Sequence, residues 1–463
     1  MQSNSDLRKP TSLLIVGAGA SGMLAAVSAR RTARKLGVSD ERFRIVLLER
    51  NSKPGAKIAI SGGGHCNLTH DGDVKRLLEK GFLRKNEQRF LRHAVYHFTN
   101  TDLLELFSSR GLKSVARPDG RVFPASGRAG EVIEVMGRML EENAVTVVSG
   151  FRVGRLDCSD SGFAVHAGDR LFAGDAVILA TGGASWGSSG TTGDGICLAV
   201  TAGHKVVPVS PALAPVWFAV PLNPELVGIT LRNILLVAGN DGDTDSRRGD
   251  VLISHRGVSG PACLSLSRSV ASMHASGKGQ VRMWSDLFPG HDESTLSSFI
   301  LDQVARHGTR LVRTFLQRCP LAPDDLSAPD ENAPGGITIP NAFTDEILRQ
   351  AGITGELTMS GLTRQQRQRL VTTMKRLLLG TVRKVPLDRA EVSAGGVSLG
   401  EIDPKTMQSK IHPRLYCCGE LLDYAGEVGG FNLQAAFSTG WIAGMHAARA
   451  LLSNSRSIQT AHE

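Results

Sequence analysis

The sequence has 463 residues, of which 41% are hydrophobic and 21% are charged. This balance is typical of a globular protein with more than one domain, and it excludes a disordered or fibrous chain. Lysine and arginine exceed aspartate and glutamate by 53 − 44 = 9, which favours anionic ligands such as nucleotides. No dense basic run or nucleic-acid motif accompanies the charge, so a solvated basic surface is the preferred interpretation and nucleic-acid binding is not expected.

Cysteine usage and the N-terminal segment both point to the cytoplasm. The cysteines are scattered and never form a C-x-x-C pair: Cys66, Cys158, Cys197, Cys263, Cys319, Cys417 and Cys418. This pattern predicts reduced thiols, with neither a disulfide framework nor a metal site. The first residues run into an apolar strand that is too short for a signal-peptide core or a membrane span, so no membrane association is expected.

The first motif is a glycine turn between a strand and a helix. The apolar run TSLLIV is followed at once by GAGASG, with glycines at Gly17, Gly19 and Gly22, and then by an alanine-rich helical stretch that includes Ala20. In a G-x-G-x-x-G turn these glycines permit the tight turn, the approach of a pyrophosphate and close helix packing. The helix N-terminus adds free N–H groups for phosphate.

An acidic residue directly follows the next predicted strand. Phe43 to Leu48 is apolar and ends in Glu49, followed by Arg50, and both residues are predicted to contact the cofactor. A carboxylate there can accept the ribose hydroxyls of an adenosine. Glu49 lies 27 residues after Gly22, which a long helix explains. A glycine turn without a ligand is the alternative, and the motif does not distinguish NAD from FAD.

Further glycine-rich segments are predicted to line a flat ligand. Lys57 precedes the loop SGGGHCN, which contains Gly63, Gly64, His65, Cys66 and Asn67. Glycine lets the backbone run close to such a ligand. Two later segments extend this prediction. The Val153 backbone could meet an adenine, and a second buried strand ends in Thr181 and Gly182 before the small-residue loop 184–195, for which a surface loop is the alternative.

The C-terminal part returns to strands and glycines. The strand LYCC is followed by Glu420, a candidate for binding the ribityl hydroxyls of a flavin, with Asp423 close by. The pair Gly429-Gly430 then opens a long helix that includes Asn432 and Leu433. Its N-terminus could stabilise the anionic reduced flavin ring, and a purely structural helix start is the alternative.

The residue pattern changes in the middle of the chain, and this change predicts an inserted domain. We expect residues 1–204 and 386–463 to form the two parts of an FAD-binding domain, and residues 205–385 to form the insert. A helix is predicted near Thr363 to Leu379. His255 lies in the polar stretch SHRGVSGP and could reach a substrate, and a capped helix entrance is an equally good interpretation.

The motifs together resemble those of the YhiN- and BaiN-like flavoproteins, the aminoacetone-oxidase-type FAD-binding family. The resemblance follows the chain through GAGASG, SGGGHCN, ATGGASWGSSGTTGDG, SHRGVSGPA, EVSAGGVSLGEIDPKTMQSK and LYCCGELLDYAGEVGGFNLQAAFSTGWIAG. It implies an α/β fold, namely a Rossmann-like two-dinucleotide-type FAD domain with an inserted β-barrel and a small helical domain. It also implies FAD contacts at Ala20, Glu49, Lys57, Gly63, Asn67, Val153, Asp423, Asn432 and Leu433.

One position departs from that family, which usually has arginine where this chain has His65. A contact that needs a permanent guanidinium charge is therefore left open. The BaiN branch is associated with reduction of carbon–carbon double bonds in dehydro-steroids, but nothing in these residues specifies a steroid.

The predicted function is an FAD-dependent oxidoreductase that uses NAD(P)H electrons to reduce an unsaturated or carbonyl-conjugated small molecule. His65, Cys66 and His255 are the candidates for catalytic side chains, and a buried structural thiol is the alternative interpretation of Cys66. An oxygen-using amine oxidase and a non-enzymatic flavin-binding regulatory or RNA-associated protein are the alternatives. The oligomeric state is open.

Overall fold

The computed structural model describes residues 10–319, 321 and 339–457. Within these residues the chain forms two compact units, the first made of the residues up to Ser210 and from Ala390 onward, and the second of Pro211–Arg389. The domain boundaries predicted from the sequence lay at 204/205 and 385/386, and the assignment of these segments to cofactor and substrate stays a prediction. No helix of the described residues is long and apolar enough to cross a membrane.

Strands occur in both units. In chain order they are β1 (Thr11–Val16), β2 (Phe43–Leu48), β3 (Thr69–His70), β4 (Ser114–Ala116), β5 (Arg121–Pro124), β6 (Thr146–Val148), β7 (Arg155–Ser159), β8 (Gly162–Ala167), β9 (Arg170–Gly174), β10 (Ala176–Leu179), β11 (Val206–Ala212), β12 (Val216–Phe218), β13 (Thr230–Gly239), β14 (Thr244–Ser254), β15 (Gly257–Ser259), β16 (Arg282–Asp286), β17 (Leu377–Lys384), β18 (Val392–Val397) and β19 (Leu415–Cys417).

The helices alternate with the strands in the first unit and are mostly grouped in the second. They are α1 (Ala20–Lys35), α2 (Ala56–Ile60), α3 (Val74–Gly81), α4 (Lys85–His97), α5 (Asn100–Ser108), α6 (Ala129–Glu142), α7 (Asp194–Thr201), α8 (Pro261–Ala275), α9 (Glu293–His307), α10 (Val312–Gln317), α11 (Asn341–Ala351), α12 (Arg364–Lys375) and α13 (Phe431–Ser457).

The first unit is built on a five-stranded parallel sheet in the order β19-β10-β1-β2-β6. The four residues of β10 and the last four of β1 are all buried, because a parallel sheet is covered on both faces and selects continuous apolar runs. β1 is the central strand of this Rossmann-type sheet, and the last strand along the chain, β19, forms one of its edges. The predicted α/β dinucleotide-binding fold is confirmed.

The carboxyl ends of these strands all lie at one edge of the sheet. Gly17 follows β1, Glu49 follows β2, Ala180 follows β10 and Cys418 follows β19. In open parallel sheets, ligands bind outside this edge. The topology therefore gathers the predicted cofactor segments, which are up to 400 residues apart in the sequence, at one place.

The second unit contains a closed barrel with the strand order β12-β15-β14-β13-β16-β17. Helix α8 packs on β14, and helices α9–α12 belong to the same unit. The predicted insertion of a β-barrel with a small helical part is confirmed. The helix predicted from Thr363 to Leu379 was too long. It ends at Lys375, because Leu377–Lys384 forms β17, which pairs with β16 and closes the barrel against β12.

Helices α1 and α13 pack closely in the first unit. A Cβ atom built on Gly440 would lie 2.2 Å from the Ser21 carbonyl oxygen, and one on Gly444 would lie 2.0 Å from the Ala25 carbonyl oxygen. Both distances are far below a normal contact, so only glycine allows the two backbones to approach so closely. The start of α1, which carries the glycine turn, is therefore held in place by the C-terminal helix.

Candidate functional site

The glycine turn after β1 is shaped as the sequence predicts. Gly17 has φ of +103°, and a Cβ atom there would lie 2.5 Å from the Ala180 carbonyl oxygen. At Gly19 a Cβ atom would meet nothing within 4 Å, so this face of the turn is open. Gly19 is also the N-cap of α1, and no side chain caps the helix there. An open, uncapped helix N-terminus fits the pyrophosphate of a dinucleotide.

Glu49 is buried beside this turn. One carboxylate oxygen accepts a hydrogen bond from the Ala18 N–H at 2.8 Å, and the other accepts from the Asn51 N–H at 2.8 Å. The carboxylate therefore holds the glycine turn and its own strand end together. Each oxygen has a further lone pair, so the predicted contact with ribose hydroxyls is compatible with this arrangement.

Val153 lies in an irregular segment between β6 and β7. Its side chain is buried, and its main-chain N–H and C=O form no hydrogen bond with any residue that the structure describes. The neighbouring Phe151 N–H donates to the Glu49 carbonyl at 2.8 Å. Because buried main-chain groups are almost always paired, the free groups of Val153 suit the edge of an adenine.

The SGGGHCN loop runs through three successive positive φ angles at residues 62, 63 and 64. A Cβ atom on Gly63 would meet nothing within 4 Å, so the loop has an open face. With its amide nitrogen facing the carbonyls of Val122 and Thr69, the Asn67 side chain accepts from the Gly430 N–H at 2.9 Å. Asn67 thereby joins this loop to the residue just before α13.

A polar cluster surrounds Glu420 after β19. The Lys57 ammonium donates to one Glu420 oxygen at 2.6 Å and to the Ser185 hydroxyl at 2.8 Å. The other Glu420 oxygen accepts from the Ser393 N–H at 2.9 Å and from the Ser185 hydroxyl at 3.3 Å. Lys57 and Glu420, both predicted from the sequence as cofactor-binding, are 363 residues apart and meet in one ion pair.

The remaining C-terminal candidates organise the entry to α13. Asp423 accepts from the Gly395 N–H at 3.1 Å. The Asn432 side chain accepts from the Gly426 N–H at 2.7 Å and donates to the Gly426 carbonyl at 2.9 Å. Leu433 is only partly buried. These contacts fix the loop before α13, so the helix N-terminus has a defined direction.

Thr181 and Gly182 follow β10 at the carboxyl edge of the sheet. Gly182 has φ of +76°, and a Cβ atom on Gly195 would overlap the Thr181 side chain. The loop between β10 and α7 therefore folds back tightly on the end of β10.

Arg50 was predicted to contact the cofactor, and in the structure its guanidinium is hydrogen-bonded to other residues of the protein. It donates to the Gly190 carbonyl at 3.1 Å and the Thr192 hydroxyl at 2.6 Å, and pairs with Asp194 at 3.1 Å. A direct contact between Arg50 and a cofactor stays a prediction. Arg50 would have to make that contact in addition to these three bonds.

The histidine candidates lie in different surroundings. His65 is exposed in the glycine loop, where its Nδ1 lies 2.7 Å from the Gly127 carbonyl oxygen. His255 is exposed in the turn between β14 and β15 of the second unit, next to Arg256, which stacks over the ring of Trp217. The structure gives neither histidine a carboxylate partner among the described residues.

Cys66 is completely buried beneath the loop, with φ of +55°, and burial raises the pKa of its thiol to about 11. We expect iodoacetamide at pH 8 to leave Cys66 of the native protein unmodified, while the exposed Cys197 reacts. The thiolate is the reactive form, and it forms only as the pH rises past the elevated pKa. Peptide mass spectrometry measures both sites, and modification in denaturant is the control. Equal reaction of the two thiols in the native protein would contradict this prediction.

Three residues of the site were not predicted as site residues. Ser185 and Ser393 belong to the cluster around Glu420. No sequence motif singles out either serine as a site residue. Glu391 is open to solvent, yet the protein packed around it raises the pKa of its carboxyl, and the nearby charge of Lys57 opposes that rise. Desolvation of this kind favours the neutral, protonated carboxyl.

These observations together test whether FAD fits. The open faces at Gly19 and Gly63, the unpaired main chain of Val153 and the uncapped start of α1 provide the space and the donors that a long dinucleotide needs. Ionic and hydroxyl groups around Glu420 can meet a ribityl chain. Among the described residues, no group of three or more His, Cys, Asp or Glu is arranged to hold a metal ion.

Comparison with known families decides the classification. The model of the family described as "HI0933-like protein Rossmann domain" matches residues 11–446. The chain belongs to this family. HI0933-like proteins are FAD-dependent oxidoreductases of the YhiN and BaiN type, so the resemblance that the motifs suggested, the enzyme class and the flavin cofactor are confirmed.

This HI0933-like protein has full-length curated relatives. It is 32% identical over 440 residues to "3-dehydro-bile acid delta(4,6)-reductase" of Clostridium scindens, with 94% of this chain and 98% of the relative covered. It is 26% identical over 431 residues to "Ribosomal RNA dihydrouridine synthase" of Escherichia coli, with 92% and 96% covered. Among solved structures, 3-ketosteroid delta1-dehydrogenase from Sterolibacterium denitrificans is similar at a TM-score of 0.47 and 14% identity, with 95% and 100% covered.

Proposed function

We propose that this flavoprotein reduces a carbon–carbon double bond conjugated to a carbonyl group, with electrons that a nicotinamide cofactor delivers. The observation that carries the proposal is the chemistry shared by its full-length relatives. By their names, a delta(4,6)-reductase of a 3-dehydro-bile acid and a dihydrouridine synthase both saturate a carbon–carbon double bond that is conjugated to a carbonyl. We assign a small molecule as the substrate, since the relative of higher identity has one by its name.

Such a reduction adds a hydride to one carbon and a proton to the other. The bound flavin supplies the hydride chemistry. The chain's own residues position the reactants and balance charge. Lys57 provides a fixed cation, held by Glu420 and Ser185, and the N-terminus of α13 adds the positive end of a long helix. Both stabilise negative charge that develops on a ligand beside them.

We assign the proton to Glu391. The residue is exposed and lies beside the Lys57 cluster, where its main-chain carbonyl accepts from the Ser185 hydroxyl at 3.4 Å. The raised pKa keeps a larger fraction of the carboxyl protonated near neutral pH than for an ordinary glutamate. A protonated acid at this place can donate the proton that the second carbon receives after hydride transfer to the first.

The Glu391→Gln variant separates the two half-reactions. We expect flavin reduction by NADH or NADPH to be unchanged, and reoxidation of the reduced enzyme by a 3-dehydro-Δ4,6 bile acid to slow by about 10²-fold, because a general acid contributes on that order. Anaerobic stopped-flow absorbance measures both steps. The Glu391→Asp variant, which keeps an acid, should retain much more of the second step. Equal slowing of both steps would contradict the assignment.

The function itself is tested by the visible spectrum of the purified protein under anaerobic conditions. Flavin bands that bleach with NADH or NADPH and return on addition of the 3-dehydro-Δ4,6 bile acid would support the proposal. Bands that bleach only with an amine, with hydrogen peroxide released in air, would instead support the oxidase alternative and overturn the proposal.

A uridine in ribosomal RNA is the second candidate substrate. Two dihydrouridine synthases are related to the chain over nearly their full length, at 26% and 25% identity, and the net charge of +9 suits a polyanion. The chemistry at the double bond is the same. Return of the flavin bands with unmodified ribosomal RNA, and not with the steroid, would select this candidate.

A further inference from the structure

Asp194, which is not among the predicted cofactor contacts, is the centre of an ion cluster that includes Arg50, which is one of them. Arg152 approaches its carboxylate with two nitrogens, Nε at 2.8 Å and Nη2 at 3.0 Å. Arg50 reaches the same carboxylate from another segment at 3.1 Å, and the Thr192 hydroxyl donates to it at 2.9 Å. Its hydrogen bonds with Arg152 lower the pKa of Asp194, so the carboxylate is charged at neutral pH.

The two arginines sit next to the two residues that suit an adenosine. Arg50 follows Glu49, whose carboxylate holds the glycine turn, and Arg152 precedes Val153, whose main chain is unpaired. The backbones of these segments are also paired, because the Phe151 N–H donates to the Glu49 carbonyl at 2.8 Å. Asp194 therefore links an arginine side chain from each of these two segments.

The cluster also contacts a third segment, the loop 184–193 that precedes α7, through Arg50 and through the Thr192 hydroxyl. The Asn51 amide donates to the Ser189 carbonyl at 3.0 Å, and Arg50 donates to the Gly190 carbonyl at 3.1 Å. A Cβ atom on Gly190 would lie 2.6 Å from the Asn51 amide nitrogen. The loop is thus closely fitted against residues 50 and 51, and Asp194 is the only acid in these contacts among the described residues.

We propose that Asp194 is a positioning residue for the adenosine half of the cofactor, which acts by holding Arg50 and Arg152 and thereby the spacing between Glu49 and Val153. The proposal rests on the assignment of Glu49 and Val153 to the adenosine, and it does not depend on which substrate is reduced. Arg152 is largely exposed, with 64% of its side chain accessible, while Asp194 is 27% accessible. The cluster is therefore open enough for salt to weaken it.

The test compares ligands that carry different parts of the cofactor. Apo-protein of wild type and of Asp194→Asn is titrated with FAD, ADP and FMN, with FAD and FMN followed by flavin fluorescence and ADP by competition with FAD. We expect the variant to bind FAD and ADP about tenfold more weakly, which corresponds to the loss of about 1.4 kcal/mol, and to bind FMN as the wild type does. FMN lacks the adenosine and does not use the cluster.

Two control variants distinguish loss of the Asp194 cluster from a general effect of the substitution on the structure. The Asp157→Asn variant makes the same change at an exposed carboxylate that pairs with Arg155 and His166, and it should leave all three affinities unchanged. Arg152→Lys keeps the charge without the two-nitrogen contact and should weaken FAD binding by a smaller factor. Rising KCl should weaken FAD binding more in the wild type than in Asp194→Asn.

Equal weakening of FAD and FMN binding by Asp194→Asn, or unchanged binding of FAD and ADP, would overturn the proposal. So would a lowered melting temperature of the apo-protein that accounts for the whole loss of FAD. None of these measurements uses a substrate, so failure of this proposal is distinguishable from failure of the proposed reaction.

Discussion

Gly444→Ala should destabilise the protein by about 2 to 3 kcal/mol, although it adds a single methyl group. The new Cβ atom would lie 2.0 Å from the Ala25 carbonyl oxygen of α1, and backbone cannot move aside as a flexible side chain can. Helices α1 and α13 would have to separate, which exposes packed apolar surface and strains the core. Thermal unfolding of the variant measures the loss.

Flavin content should fall in the same variant. The contact between α1 and α13 lies one to two turns from the uncapped helix start that is predicted to receive the pyrophosphate. A displaced α1 would move these N–H groups, so we expect less FAD per protein after purification. The ratio of flavin absorbance to protein absorbance reports this directly.

Gly137→Ala is the matched control. Gly137 lies within α6, where a Cβ atom would meet nothing within 4 Å. The same substitution should therefore stabilise the protein by about 0.5 to 1 kcal/mol, because alanine favours the helix. Effects of the same sign and size at both glycines would contradict the close approach of α1 and α13.

Glu49→Gln should weaken FAD binding by about 10²-fold. The carboxylate accepts from two main-chain N–H groups, those of Ala18 and Asn51. An amide in its place has only one oxygen, so its NH₂ group must face one of these donors. The buried pair then carries an unsatisfied N–H, and the charge-assisted bond that shapes the glycine turn is lost. Fluorescence titration of the apo-protein with FAD measures the affinity.

Glu41→Gln serves as the control for the Glu49 variant. Glu41 is exposed just before the same strand, β2, so the change in charge is equal and no buried bond is lost. We expect its affinity for FAD to equal that of the wild type. If Glu49→Gln also bound FAD normally, the carboxylate would have no part in shaping the turn.

Several elements of this site are local in the sequence. The glycine turn is predicted because strand, turn and helix follow one another within 25 residues and each glycine has a steric reason that the structure bears out at Gly17 and Gly22. The inserted barrel was predicted from the resemblance to a known family.

Other elements depend on residues far apart in the chain. Nothing near Lys57 predicts that its partner is Glu420, or that Ser393 and Ser185 complete the cluster. The same holds for Asp194, which lies in a segment that the sequence describes only as rich in small residues. Its partners Arg50 and Arg152 come from two other segments.

The sequence by itself determined the dinucleotide-binding fold and the elements predicted to approach the ligand, because turn geometry, strand burial and helix ends are set by neighbouring residues. Only the tertiary structure decided which charges meet. The return of the chain to β19 brings Glu420 to the carboxyl edge of the sheet, and the close contact at Gly440 and Gly444 holds α13 against α1. Ion pairs and close backbone contacts depend on distances between segments, and those distances follow from packing rather than from local pattern.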